Sequence, residues 1–394
     1  MFACISAVRK SAARLFVCLS IFFVAACDPI NLAGGGDSRP RIDPTAPVQV
    51  ALLVPSGSGN AQDAFLAQNL ENAARLAISD LNGVSINLRV YSTAGNPQQA
   101  ANAAVTAVNE GAKIILGPLY GEAANAAAVA VGGQNVNLLA FSNNASIAGG
   151  NLFVLGPTFN STANRLVRYS VGQGKRSFMI IHGDDVPGAV GRDAIASAVT
   201  NNGGTIAGIE GYPLSQQGIV SRVGPIAAAT KASGADSVFL TAGANADLPI
   251  LATALPEAGI SPSSTQYVGL TRWNAMPQAL TLPGLQGGLF ALPDQARQAA
   301  YEQRYASTYG EQPHPLAGLA YDGIAAIGAL LSAGNANALT KGALTQSSGF
   351  QGVNGIFRFL PNGTNERGLT VAQIRNNQVV VVDPAPRSFG TGGF

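Results

Sequence analysis

Two short runs hold most of the residues that could do chemistry. His182-Gly183-Asp184-Asp185 places an imidazole and two carboxylates at the end of an apolar run, where they could form a general base or contribute to a metal site. So short a run does not fill a metal's ligand shell at workable geometry, and a polar loop after a strand is the plainer reading. Pro55-Ser56-Gly57-Ser58-Gly59-Asn60 lies between an apolar run and a helical one, the position of a phosphate loop. Gln62 stands where the third glycine should be and the lysine of a P-loop is missing, so nucleotide binding is poorly supported. His314, between Pro313 and Pro315, reads as a solvated loop residue, and there is no Gly-x-Ser-x-Gly elbow to raise a serine nucleophile. A chain with two histidines is poor in acids, bases and nucleophiles, and binding by hydrogen bonds is the chemistry left to it.

Other runs share that character. Gly117-Pro118-Leu119-Tyr120-Gly121, Ser142-Asn143-Asn144-Ala145-Ser146 and Thr241-Ala242-Gly243 each follow an apolar run and offer hydroxyls, amides and glycine with little charge. Each is an ordinary loop or part of a binding wall. Loops at the carboxyl ends of parallel strands are where small polar ligands enter α/β folds. Trp273, the only tryptophan, follows Thr271-Arg272 just past such an end and either caps a cleft or packs inside a lobe.

The elements needed to position these loops are visible as periodicity. Strands are predicted at 48–54, 86–91, 113–116, 136–141, 177–181, 205–209, 237–240 and 267–270. Between them run helical stretches, the clearest carrying Phe65, Leu66, Leu70, Ala73, Ala74, Ala77 and Ile78 at helical spacing. Another starts after Asn96-Pro97, where proline suits the first turn. Alternating strands and helices imply parallel sheets covered by helices. After Phe350 the chain changes: Ile356 to Phe359, a Pro361-Asn362-Gly363-Thr364 turn, Leu369 to Ile374, Asn376-Asn377 and Val379 to Val382 read as antiparallel hairpins.

The amino terminus reads as an address. Arg9, Lys10 and Arg14 precede an apolar run, Leu15 to Ala26, too short to span a membrane, which ends at Val24-Ala25-Ala26-Cys27. That ending resembles the lipobox of bacterial lipoproteins, which implies cleavage before Cys27 and a diacylglycerol on its thiol. Residues 1–26 then form the signal peptide, and 27–47, with Gly34 to Gly36, Pro40, Pro44 and Pro47, a flexible tether. Removing three basic residues turns a net charge of +2 into about −1, so the basic excess belongs to the leader. With 11% charged residues and no basic cluster, nucleic acid is not an expected partner. Cys4 and Cys18 leave with the leader, so the mature chain has no disulfide and relies on apolar cores, for which its length suffices in two lobes.

Several runs taken in order resemble the type I periplasmic-binding fold of the leucine/isoleucine/valine receptors. They are Val50-Ala51-Leu52-Leu53-Val54-Pro55, Gly111 to Pro118, Phe141-Ser142, Tyr321-Asp322-Gly323, and Phe350-Gln351-Gly352-Val353-Asn354-Gly355 leading to Phe359 and Asn362-Gly363. The resemblance implies an α/β fold of two Rossmann-like lobes with parallel sheets, joined by three crossovers near 158–160, 287–293 and 346–350 and ending in a β-meander. Lobe 1 would comprise 48–158 plus 290–346, lobe 2 159–289 plus 347–384, and 385–394 a disordered tail. Cleft candidates are Ser56, Ser58, Asn60, Tyr120, Gly121, Ser142, Asn143, Ala145, Ser146, Asp185, Thr241, Trp273 and Tyr321.

Within that superfamily the lipobox, Leu116-Gly117-Pro118-Leu119 and Ala140-Phe141-Ser142-Asn143 resemble the penicillin-binding protein activators, lipoproteins thought to dock on peptidoglycan synthases. That resemblance implies a non-enzymatic periplasmic regulator of peptidoglycan synthesis, without cofactor or metal, whose partner is a penicillin-binding protein. The alternative is the substrate-binding protein of a branched-chain amino acid or amide ABC transporter, whose partner is a permease and whose cleft holds a small polar solute. The amino-acid receptors usually place serines after the Gly-Pro run and an acidic residue near 269–271; here stand Tyr120-Gly121-Glu122 and Gly269-Leu270-Thr271. Asp28 after the lipidated cysteine resembles an inner-membrane retention signal, while activators are often outer-membrane proteins, so the choice of membrane stays open.

Overall fold

A computed structural model describes residues 42–243 and 247–390. The leader, Cys27 and most of the tether lie outside the described residues. Strand β1 (Val48–Val54) shows how the first sheet is built, since Val50, Leu52 and Val54 face one apolar cluster and Ala51 and Leu53 the other. A strand buried on both faces must be apolar throughout, which is why it reads as one continuous run. Each fully buried leucine there contributes roughly 1.5–3 kcal/mol.

Around β1 the chain winds α1 (Ala61–Asp80), β2 (Ile86–Ser92), α2 (Pro97–Asn109), β3 (Ile114–Leu116), α3 (Gly121–Val131), β4 (Asn137–Ala140) and β5 (Leu152–Val154). The sheet is parallel, in the order β2-β1-β3-β4-β5, with Val48 opposite Ile86 and Val50 opposite Ile114. Asn60 caps α1 by accepting from the Gln62 N–H, and Asn96 caps α2 ahead of Pro97.

The second lobe repeats the scheme with α4 (Phe159–Gly172), β6 (Ser177–Gly183), α5 (Val186–Asn201), β7 (Thr205–Tyr212), α6 (Gln216–Ser233), β8 (Ser237–Leu240), α7 (Leu248–Glu257), β9 (Gln266–Gly269) and β10 (Leu289–Leu292). The chain then returns to the first lobe as α8 (Gln295–Tyr309), α9 (Gly318–Leu331) and the short α10 (Lys341–Leu344). It ends as β11 (Phe350–Gly352), β12 (Gly355–Phe359), β13 (Asn365–Arg367), β14 (Thr370–Arg375) and β15 (Gln378–Asp383). The second sheet runs β15-β14-β10-β9-β8-β6-β7, with β14 antiparallel to β10 and to β15 and the others parallel. The β14–β15 hairpin turns on Asn376 and Asn377, whose φ values of 51° and 63° are those of a tight primed turn.

Strand membership puts the three crossings at 155–158, 293–294 and 368–369. The third comes later than 346–350, because Phe350, Val353, Phe357 and Phe359 pack into the apolar cluster of the first lobe and hold the β11-β12-β13 sheet there. Buried polar groups stitch these crossings. Asp322 accepts from the Val353 N–H at 2.7 Å and pairs with Arg367 at 3.1 Å, while Asn365 donates to the carbonyls of Val154 and Gly156. Arg165 reaches from α4 to the carbonyl of Leu369. No helix among the described residues is long and apolar enough to cross a membrane.

Candidate functional site

The carboxyl ends of both parallel sheets carry the loops singled out by sequence. On the first lobe, Gly57 and Gly59 have φ of 82° and 79°, so the loop after β1 needs the left-handed backbone that glycine supplies. Ser58 is exposed, and its hydroxyl accepts from the Asn60 N–H at 3.1 Å. Asn60 is spent on capping α1, and the half-buried Ser56 anchors Ala94 through its carbonyl.

After β3, Gly117 has φ of 89°, and a Cβ there would lie 2.3 Å from the carbonyl oxygen of Leu53. Only glycine lets this turn pass so close to β1. Tyr120 then stands at the N-cap of α3 without giving a side-chain cap, so the N–H groups of the first turn stay open on that side. Its hydroxyl donates instead to Asp63, which is buried. That bond, reinforced by burial, raises the tyrosine pKa above its ordinary value. Ser142 lies against the start of α3, its Oγ 3.5 Å from where a Gly121 Cβ would be. Asn143 is exposed, whereas Ser146 is turned back onto Asn144. Ala145 faces a different cavity, beside α4.

On the second lobe, Asp185 caps α5 by accepting from the Gly188 N–H at 2.8 Å. The His182 Nδ1 is 2.9 Å from the carbonyl oxygen of Gly183 and 3.9 Å from Asp184, and no group of metal-ligating residues occurs among the described residues. Thr241 Oγ1 accepts from the Gly183 N–H at 3.3 Å and links the ends of β6 and β8. Asp247 is buried, bound to the hydroxyl of Tyr212 and the N–H of Gly243.

Two further candidates leave the cleft. Trp273 is fully buried, packed on Phe290 at 5.8 Å between Gly269 and Gly288, neither of which has room for a Cβ beside it. It therefore cannot cap a cleft. Tyr321 binds Asp80 at 2.6 Å and lines a hollow between α8 and α9 that shares no wall with the strand-end loops. His314 is half-buried against Phe65 at 6.1 Å, and burial lowers its pKa.

Sequence reasoning missed Arg272. Its guanidinium makes no ion pair or hydrogen bond among the described residues, although crowding lowers its pKa and Glu302 on α8 opposes that from the other lobe. The signal was present, since it is the one charge in Gly269 to Ala275. Large apolar side chains are exposed in or next to these loops, Phe65 and Tyr120 on the first lobe and Val186, Val190 and Leu214 on the second.

Comparisons with known proteins agree with this geometry. No curated protein matches the sequence. Among solved structures, a branched-chain amino acid ABC transporter periplasmic ligand-binding protein from Burkholderia xenovorans LB400 is similar at TM-score 0.65 and 18% identity, covering 86% of this chain and 96% of its own. An ABC transporter substrate-binding protein from Desulfitobacterium hafniense, in complex with Leu, gives 0.60 and 18%, covering 86% and 100%. A solute-binding protein from Rhodopseudomonas palustris BisB5, in complex with 3,4-dihydroxybenzoic acid, gives 0.55 and 17%, covering 88% and 99%. The family profile for periplasmic binding proteins matches residues 47–378, so the chain belongs to the periplasmic binding protein family, a ligand-binding kind of family.

Proposed function

We propose that this protein is a periplasmic solute receptor for an ABC permease, as in the branched-chain amino acid or amide transporter alternative raised by its sequence, and that the solute it delivers is a small carboxylate. The observation that carries the reading is the open N-terminus of α3 beside Ser142 on the first lobe, together with the unpaired Arg272 at a strand end of the second. Open N–H groups at a helix start favour an anion, and a guanidinium across the cleft would add a charge-assisted bond on closure. The D. hafniense and R. palustris receptors hold Leu and 3,4-dihydroxybenzoic acid, two solutes that share a carboxylate. An ammonium group is less well served: Asp185 caps a helix, Asp247 is buried with Tyr212, and Asp184 sits beside His182. A carboxylate with an apolar or aromatic body suits the wall better than an ordinary amino acid. Lobe closure on such a solute is a hinge motion about the three crossings.

Anchoring through a lipid on Cys27 is part of the proposal, and it would keep the receptor near its permease. Docking on a peptidoglycan synthase rests on the lipobox and the 116–119 and 140–143 runs alone, and no feature of the cleft favours it. A thermal melt of the full chain against branched-chain amino acids, D-amino acids, hydroxybenzoates, small peptides and muropeptides tests the reading. A solute at about 100 times its Kd adds roughly 2.7 kcal/mol, about 4 °C for a chain of this size. A shift with a carboxylate that Arg272→Gln abolishes is the expected result. No shift across the panel would sink the receptor reading and turn attention to protein partners.

A further inference from the structure

A second cavity, of about 530 Å³, opens between the lobes on the face where α4 meets the β12–β13 hairpin. It touches the strand-end loops only at Ala145. Four arginines line it: Arg165 and Arg168 from α4, Arg358 from β12 and Arg367 from β13. Three are neutralised, Arg165 by Asp383 at 2.8 Å, Arg358 by Glu366 at 2.6 Å, and Arg367 by the buried Asp322 at 3.1 Å. Arg168 is not. Its Nε donates to the neutral side chain of Asn202 at 3.2 Å, and it forms no ion pair among the described residues. Burial works against its charge and lowers its pKa; Arg165 and Arg358 act in the same direction, with Glu366 opposing.

Arg367 supplies a second, independent sign. The residue is 4% exposed, and its Nε is buried without a hydrogen-bond partner. A guanidinium N–H in that state costs free energy that an acceptor would recover. A cation without an ion pair on the second-lobe side and an unmatched donor on the first-lobe side ask for the same thing, an oxygen anion. Neutral groups that could complete its shell, Asn160 and Thr364, stand on the two sides of the cavity.

We propose that this cavity is a second binding site, separate from the strand-end cleft, for a small oxyanion group, a phosphate or a carboxylate, held by Arg168 and the free Nε of Arg367. The site is built from both lobes, α4 and α5 belonging to the second and the β12–β13 hairpin to the first. Planar guanidinium forks match either oxyanion in two-point geometry.

The test is calorimetric titration of the full chain with inorganic phosphate and, separately, with acetate, at fixed ionic strength. Saturable binding of one or both is expected, and which anion binds identifies the source. Arg168→Gln should weaken it by about tenfold or more, the loss of one charge-assisted pair. Asn160→Asp, which adds a carboxylate to the wall and disturbs no packing core, should weaken it too, and keeps the test valid if the first variant folds poorly. Arg89→Gln, at a surface pair with Glu110 outside both the cleft and this cavity, should leave the anion isotherm unchanged. Absence of saturable binding by both anions, or binding indifferent to a folded Arg168 or Asn160 variant, overturns the proposal. Loss of all saturable binding in Arg272→Gln, with Arg168→Gln binding as the parent does, would place the anion in the cleft and overturn it as well.

Discussion

Asp322→Asn is the substitution whose cost the structure predicts most directly. Asp322 is fully buried, accepts from the Val353 N–H, and neutralises Arg367, itself 4% exposed with its Nη2 on the carbonyl of Leu155. Asparagine keeps the shape and the acceptor but removes the charge, leaving a guanidinium buried without its counter-ion. Breaking a buried pair from one side costs about 3–5 kcal/mol. Unfolding entropy near 2.1 cal/mol/K per residue gives about 0.7 kcal/mol/K for the roughly 350 described residues, so the melting temperature should fall by about 4–7 °C. Differential scanning calorimetry of the full chain reads this. The double variant Asp322→Leu, Arg367→Met removes both charges and should recover much of the loss, a non-additivity that no general softening of the lobe would give. Burial pushes the Asp322 carboxyl up while Arg367 pulls it down. A melting temperature of Asp322→Asn within about 1 °C of the parent would mean that burial has already neutralised the carboxyl, and the reasoning from a buried ion pair would fail.

Further expectations concern the cleft walls. Gly117→Ala forces a Cβ to 2.3 Å from the Leu53 carbonyl oxygen at a φ of 89° and should cost at least about 1–3 kcal/mol, read as a lower melting temperature. Asp185→Ala removes the cap of α5 and should cost about 1 kcal/mol; a normal melt combined with lost solute binding would show that the carboxylate touches the ligand instead. His314 is held neutral by burial while its unfolded counterpart takes up a proton, so stability falls as pH drops below the ordinary histidine value near 6.5, down to the lowered folded value. His314→Gln should flatten that part of the pH–stability curve, and an unchanged slope would contradict it. Trp273, buried between Gly269 and Gly288, should resist acrylamide quenching and show emission that does not respond directly to a bound solute; ready quenching would refute its burial.

How far the sequence reached follows from the physics of each element. Strand β1 was legible to the residue and β8 likewise, because strands buried on both faces are apolar runs bounded by polar turns. The hairpin at Asn376-Asn377 was legible because asparagine tolerates the left-handed backbone. Strands β5, β10, β11 and β13 have three or four residues each and carry no period of their own. They exist because a neighbouring edge offers hydrogen bonds, which only the assembled sheet provides.

The candidate site divides along the same line. The sequence by itself determined that the chain carries polar, glycine-rich loops after apolar strands and little that could catalyse, since composition and local backbone demands are written residue by residue. Which of those loops hold free groups was a tertiary matter. Asn60 and Asp185 are consumed by helix caps, Trp273 fits a slot between two glycines, and Tyr321 reaches Asp80 across 241 positions of sequence. Among the described residues Arg272 and Arg168 form no ion pair, which no local signal in the chain decides. A side chain's type is fixed where the chain is written, but whether its charge is spent or open depends on partners that folding brings from far along the chain.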